Sequence, residues 1–192
     1  MASEAEEIDR PSAATELSEE ERRRRDHALA TVRKFGDPVL KTRALPVTRF
    51  DGELRQQVDW MRDVMDGALG VGLAATQVGI VERVLVYRVE QDSPIVAVIN
   101  PEIEWRGDQL ETAEEGCLSI PGIHVDVERN VHLRVGAVDE TGTAFTIEAS
   151  GLEARVLQHE IDHLDGVLMI DRATREQKRE AMRTWRELHQ GE

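Results

Sequence analysis

The stretch Gln158-His159-Glu160-Ile161-Asp162-His163-Leu164-Asp165-Gly166 constrains this chain more than any other. Its His-Glu-x-x-His core sets two imidazoles four residues apart. On an α-helix such positions lie on one face, so His159 and His163 can offer nitrogens to a single ion. Glu160 stands beside them, placed to take a proton from an activated water. The flanking sequence predicts a helix here. Ser150 and Glu153 have the Ser-x-x-Glu spacing of a capping box, which starts the helix at about Gly151. Gly166 can end it.

At 192 residues the chain suits one domain with a sizeable core, plus tails. No apolar run is long enough to span a bilayer. The N-terminus shows no signal-peptide core, and its acidic residues argue against a transit peptide. A soluble cytoplasmic protein without a membrane partner is the expectation. The formal charge of −14 opposes non-specific binding to nucleic acid, DNA included. Cys117 is the only cysteine, so no intrachain disulfide can form. A lone cysteine is most often a small buried hydrophobe, and Cys117 gains weight only with a partner.

Residues 1–27 are expected to be a disordered tail, rich in charge and poor in apolar side chains. Within it, the switch from Glu19-Glu20-Glu21 to Arg22-Arg23-Arg24-Arg25 allows a short surface helix from Ser18 onward. Residues 28–192 read as a single catalytic domain. Leu54, Val58, Met61, Met65 and Ala68 recur at helical spacing after Asp51, with Gly67 and Gly70 ending the helix. Gly70-Val71-Gly72 invites a nucleotide-loop reading, which fails because no strand precedes it and the third glycine and ribose acid are missing. The small residues instead predict backbone held close to something else, with Gln77 as the polar side chain able both to donate and to accept.

Strand-like runs follow at Arg83 to Arg88 and Ile95 to Ile99, the second stopped by Asn100-Pro101. Others lie at Ile103 to Trp105, Leu110 to Ala113, Val125 to Val127, Val131 to Val138 and Ala144 to Ala149. A last amphipathic helix spans about Thr174 to Leu188. The class is α+β: mainly antiparallel β-sheets packed around a central metal-binding helix, with N- and C-terminal helices.

A catalytic metal site needs three protein ligands and one open position. His159 and His163 supply two. Glu180 and Glu187 are downstream candidates for the third, which would make the chain a zinc endopeptidase. Cys117 is the upstream candidate, and a role on a metal would explain the chain's single cysteine. That puts Cys117 slightly ahead. A purely structural site would need a fourth protein ligand, and no convincing one is visible.

Three stretches together carry a resemblance: Gly70-Val71-Gly72-Leu73-Ala74-Ala75-Thr76-Gln77, Glu115-Gly116-Cys117-Leu118-Ser119, and Gln158-His159-Glu160-Ile161-Asp162-His163. They resemble the three signature motifs of the peptide deformylase family, complete and in the same order. The similarity runs from about residue 30 to about residue 170. It implies that Cys117, His159 and His163 bind one divalent ion, naturally Fe(II), with zinc, nickel or cobalt able to occupy the site. It implies removal of the N-formyl group from the formyl-methionine of nascent polypeptides, giving formate and a free amino terminus.

In that chemistry Glu160 takes a proton from water and returns it to the leaving amine. The Gln77 amide and the Leu118 backbone N–H donate to the developing oxyanion, and one such donor is typically worth about 3 kcal/mol of barrier. By the same resemblance Val71, Gly72 and Gly116 hold the peptide backbone as an added strand. Bulk at Gly70 or Gly72 would block that approach. Leu152 and Val156 precede His159 on the helix and can line a pocket for the methionine side chain; plain core packing explains them equally well.

One position departs from the family. Where members often have an arginine, seven residues after the metal cysteine, this chain has His124. That position bears on the downstream peptide and not on the chemistry. Near the C-terminus, Arg172, Arg175, Arg179, Arg183 and Arg186 are spaced to fall on one helical face, with Ala181, Trp185 and Leu188 opposite. A solvated face laced by Arg172–Glu176 and Arg183–Glu187 pairs is one reading. Contact with ribosomal RNA, which the resemblance makes reasonable, is the other.

Overall fold

The computed structural model describes residues 17–90 and 92–189. In chain order they form α1 (Glu19–Thr31), α2 (Gly52–Gly67), β1 (Gly72–Ala74), β2 (Val84–Tyr87), β3 (Val96–Arg106), β4 (Leu110–Gly116) and β5 (His124–Asn130). Then come β6 (His132–Val138), β7 (Ala144–Ser150), α3 (Gly151–Leu164), α4 (Met169–Arg172) and α5 (Arg175–Leu188). Five strands make one sheet in the order β1-β2-β3-β6-β7, and β4-β5 make a second. Every pairing between these strands is antiparallel, as the α+β expectation required.

Successive side chains of a strand point to opposite faces, and β2 is buried on both. On one face α2 lays Val58, Met61 and Met65 against Leu73, Val84, Val86 and Ile99. On the other α3 lays Leu157, Ile161 and Leu164 against Leu85, Val98, Leu133 and Val135. Each such side chain contributes roughly 1.5–3 kcal/mol by leaving water. A third cluster joins Val125 and Val127 of β5 to Leu168, Met169 and Ile170 and to Ala181 of α5. α3 is therefore central, covered by the large sheet and reached by the β4–β5 hairpin through Arg129 and Glu115.

Several local expectations are corrected. Asn100-Pro101 does not end a strand. β3 runs through it with a register shift between Ile99 and Glu102. Asn100 takes φ +52°, and its side chain bonds the Val47 N–H and C=O at 2.8 and 2.9 Å, which fixes the irregularity in place. The capping box of α3 does not form. Ser150 is the N-cap residue but makes no side-chain capping bond. Glu153 instead accepts from the Tyr87 hydroxyl at 2.8 Å. Gly151, at φ +54°, turns the chain into the helix, a conformation open to glycine.

Residues 1–16 of the expected tail lie outside the described residues. The remainder is not disordered: α1 begins after Ser18, which forms a capping box with Glu21. The surface helix read from Ser18 is the one that forms, and it stays because tertiary contacts hold it. Arg24 pairs with Asp66 at 2.6 Å, and Ala28 is buried against the end of α2.

The arginine stripe is also shorter than expected. Arg172 belongs to α4 and donates to the Asp162 carboxylate at 2.5 and 3.0 Å, so it is tied to α3 and lies off α5. Arg183 pairs with Glu180 at 3.0 Å in place of Glu187. Ala181 is buried and Trp185 packs edge-on to Phe35 at 5.7 Å. Leu188 reaches Gly122 yet remains 58% exposed.

Candidate metal centre

α3 presents His159 and His163 from consecutive turns, their rings edge to face at 4.9 Å. The turn after β4 brings Cys117 to them, with Sγ 3.2 Å from His163 Nε2. One donor atom from each of Cys117, His159 and His163 lies within 4.8 Å of the others. Among the described residues no further histidine, cysteine or carboxylate joins this group. Glu180 and Glu187 are exposed on α5, so neither downstream glutamate completes the set. The β4–β5 turn folds Cys117, and neither of these glutamates, onto α3.

The donors fit a divalent ion. One thiolate and two imidazoles suit iron, zinc, nickel and cobalt alike. Burial would push the Cys117 thiol up, but the neighbouring His163 and His159 hold it well below its ordinary value. Burial would likewise lower His159, yet Cys117 and Glu115 hold it well above the usual imidazole range. The surroundings thus favour the thiolate, the form of cysteine that binds a cation.

Glu160 is buried beside this group and its Oε2 meets no protein donor. Burial raises its pKa, opposed by the two imidazoles. A carboxylate that is buried, unpaired at one oxygen and raised in pKa has the properties of a proton carrier. Gly72 makes room for it: a Cβ there would sit 2.4 Å from Glu160 Oε1. The glycine expected to admit a peptide is required first by the carboxylate. Gly116 stands against the His124 ring, which a Cβ would approach to 3.0 Å.

Gln77 is 1% exposed. Its Oε1 accepts from the Ala74 N–H at 2.8 Å, so its amide nitrogen points the other way, 3.3 Å from Ser119 Oγ and 3.6 Å from Cys117 Sγ. Leu118 follows Cys117 in the same turn, with its carbonyl accepting from Lys34 Nζ at 3.1 Å.

Beside these groups opens a cleft of about 470 Å³. Val71, Gly72, Gly116, Leu152 and Val156 all line it, as do Gln77, Cys117, Leu118, His159 and Glu160. Val71 and Leu152 are half exposed or more, whereas Val156 is buried. Leu152 is therefore not core, and Val156 belongs to both core and cleft.

Behind the site lies a set of charges to which the motif spacing assigns no role. Glu115 Oε2 lies 3.0 Å from His159 Nδ1. Arg129 holds the same carboxylate at 2.9 and 3.0 Å and reaches Asp162 at 2.6 Å. Arg155 adds a third bond to Glu115 at 3.0 Å. Burial would raise the Glu115 pKa, but His159 and Arg129 bring it down to about 2. A fixed carboxylate on Nδ1 sets the ring's orientation and tautomer, leaving Nε2 for an ion. The signal was present in the sequence. Arg129 continues the inward phase of Val125 and Val127 along β5, where a charge must be paired to be tolerated.

The polypeptide deformylase family model matches residues 29–179. A peptide deformylase of Cellvibrio japonicus is 48% identical over 145 residues, covering 75% of this chain and 86% of its own. A crystal structure of a peptide deformylase from Synechococcus elongatus, in complex with actinonin, superposes with a TM-score of 0.77. It is 43% identical and covers 80% of this chain and 85% of its own. The peptide deformylase structure from Thermotoga maritima gives a TM-score of 0.72 at 49% identity, covering 74% of this chain and 96% of its own. With the family model matching most of the described residues and the Cys117, His159 and His163 donors gathered at one cleft, the chain belongs to the polypeptide deformylase family.

Proposed function

We propose that this chain hydrolyses the formamide of formyl-methionine at the amino terminus of nascent polypeptides, using Cys117, His159 and His163 to hold one divalent ion. The observation that carries this reading is the meeting of those three donors beside a single cleft that Cys117, His159, Glu160 and Gln77 line. When bound, the ion supplies a Lewis acid that makes water acidic and nucleophilic at neutral pH. Fe(II) is the proposed natural metal, with zinc, nickel or cobalt able to replace it.

Glu160 accepts the proton that water loses as it attacks the formyl carbon. The same carboxyl then gives that proton to the leaving amine, so that formate and a free amino terminus depart. Negative charge gathers on the formyl oxygen during attack. The Gln77 Nε2–H, held by the Ala74–Oε1 bond, and the Leu118 N–H donate to it. Val71, Gly72 and Gly116 bind the peptide backbone as an added strand. Leu152 and Val156 receive the methionine side chain.

Incubation with formyl-Met-Ala-Ser tests the reading. Formate release with the peptide backbone intact is the expected result; internal cleavage without formate overturns it. No helix among the described residues is long and apolar enough to cross a membrane. The cytoplasm, where chains are still being made, is the proposed place of action. Arg175, Arg179, Arg183 and Arg186 are exposed on α5 and are proposed to meet ribosomal RNA there.

A further inference from the structure

The first ten residues of α1 precede the stretch that matches the family model, which begins at residue 29. Yet α1 reaches the cleft. Arg25 and Leu29, four residues apart and so on one helical face, both line it together with Leu69 and Val71. The neighbouring face is what anchors the helix. Arg24 pairs with Asp66, which Arg88 also holds at 2.7 Å. Ala28 sits where a Cβ on Gly67 would come within 3.1 Å, so the absence of a side chain at Gly67 permits the close seat. Val32 then enters the core under α2. The cleft-facing pair is thus carried on an anchored helix.

The two residues differ in chemistry. Leu29 is half-buried and apolar, while Arg25 is exposed. Among the described residues Arg25 has no hydrogen-bond or ion-pair partner. It leaves a free guanidinium at the cleft, whereas Glu115 and Glu160 in the same lining are buried. The exposed carboxylate of the lining is Glu114, on the β4 wall.

We propose that α1 is an added wall of the substrate cleft and that Arg25 selects formyl peptides with an acidic side chain downstream of the methionine. Leu29 supplies the apolar surface on which that part of the peptide rests. The inference rests on the deformylase reading. Arg25 touches neither the formyl group nor the donors of the metal site, so it acts on binding and leaves the chemical step alone.

The test compares kcat/KM for formyl-Met-Ala-Asp-Ala amide and formyl-Met-Ala-Lys-Ala amide, and for the same pair with the charge one residue further on. An exposed charge pair of this kind is worth about two- to fivefold in affinity. The wild type is expected to favour the acidic peptide by about that factor at one of the two positions, chiefly through KM, and less so as salt rises. Arg25→Gln should abolish the preference and Arg25→Glu should reverse it. Arg23→Glu makes the same change of net charge two residues away, off the cleft-facing side, and should leave the preference alone. All three variants should deformylate the uncharged formyl-Met-Ala-Ala-Ala amide with wild-type kcat, which keeps the family activity separate from the selectivity. An acidic-to-basic ratio that is the same in wild type, Arg25→Gln and Arg25→Glu at both positions overturns the proposal. So does a shift of equal size in Arg23→Glu.

Discussion

Gly72 and Glu160 occupy one another's space: a Cβ on Gly72 would fall 2.4 Å from Glu160 Oε1 and 2.8 Å from its Cδ. Neither the strand nor the helix can give easily there, since β1 and α3 are both buried at this point. Gly72→Ala is therefore expected to displace the Glu160 carboxylate while leaving Cys117, His159 and His163 together. A displacement of about 1 Å typically costs about 100-fold in rate. Metal stoichiometry near wild type with kcat reduced by that order is the expected result. An unchanged kcat would show that the carboxylate's position does not matter.

Glu160→Gln separates the proton from the metal more directly. The amide keeps the size of the carboxyl but cannot carry the proton. Turnover should fall by about 10²- to 10⁴-fold, with metal content retained. Near-normal turnover in a metal-replete sample would mean that another group moves the proton.

The buried charges behind His159 give a prediction about metal and stability together. Glu115→Gln leaves Arg129 and Arg155 short of a counter-charge and weakens the hold on His159 Nδ1. Metal affinity should drop by about 10- to 100-fold. Breaking a buried pair typically costs about 3–5 kcal/mol, so thermal unfolding should also come earlier. Cys117→Ala should instead lose the metal and keep most of the fold. The two variants differ because Cys117 faces only the two imidazoles, whereas Glu115 holds two buried arginines.

These residues also show what the sequence could and could not reveal. His159, His163 and Glu160 were legible because helical spacing is fixed and the motif states their geometry. Cys117 was legible as a candidate, but its place beside the histidines, which Glu180 and Glu187 do not share, depends on the β4–β5 turn, which no local spacing encodes. Glu115 and Asp162 stand inside the motif stretches, but their partners lie outside them: Arg129 and Arg155 for Glu115, Arg129 and Arg172 for Asp162. The fold class followed from alternation. The errors lay where tertiary contacts override local signals. Asn100-Pro101 reads as a strand stop but is absorbed as an irregularity bonded to Val47. The charged segment before Ala28 reads as tail but is held by Asp66 and Gly67.

Asp171 supplies a pH prediction. Burial would raise its pKa, but hydrogen bonds from Lys178 and Lys41 and from the Leu168 N–H bring it down to about 2, from an ordinary 3.8. A depressed carboxyl stabilises the fold above its unfolded pKa, and that contribution is lost as pH falls through the folded value. Asp171→Asn should therefore be less stable than wild type at pH 7, by about 1 kcal/mol once solvent screening is allowed for. The gap should close between about pH 4 and pH 2. Denaturant midpoints of the two proteins at pH 7 and pH 3 check this. A gap that stays constant with pH would place the effect in packing and not in charge.

The last prediction concerns α5. Arg175, Arg179, Arg183 and Arg186 remain on the helix after Arg172 is assigned to Asp162, and all four are exposed. Arg183 has Glu180 beside it at 3.0 Å, an exposed pair worth at most about 1 kcal/mol, which a phosphate can displace. The opposite side of the helix is taken up by Ala181 and Trp185 in the core, so the arginines cannot turn inward. Phosphate contacts are local and depend on such a face more than on a net charge of −14. Changing Arg175, Arg179 and Arg183 to glutamine should leave turnover of formyl-Met-Ala-Ser at the wild-type level, because none of the three lines the cleft. Co-sedimentation with ribosomes should weaken, and the wild-type association should itself fall as salt rises. If the triple variant sediments with ribosomes as the wild type does at low salt, the stripe is a solvated face and recruitment has another origin.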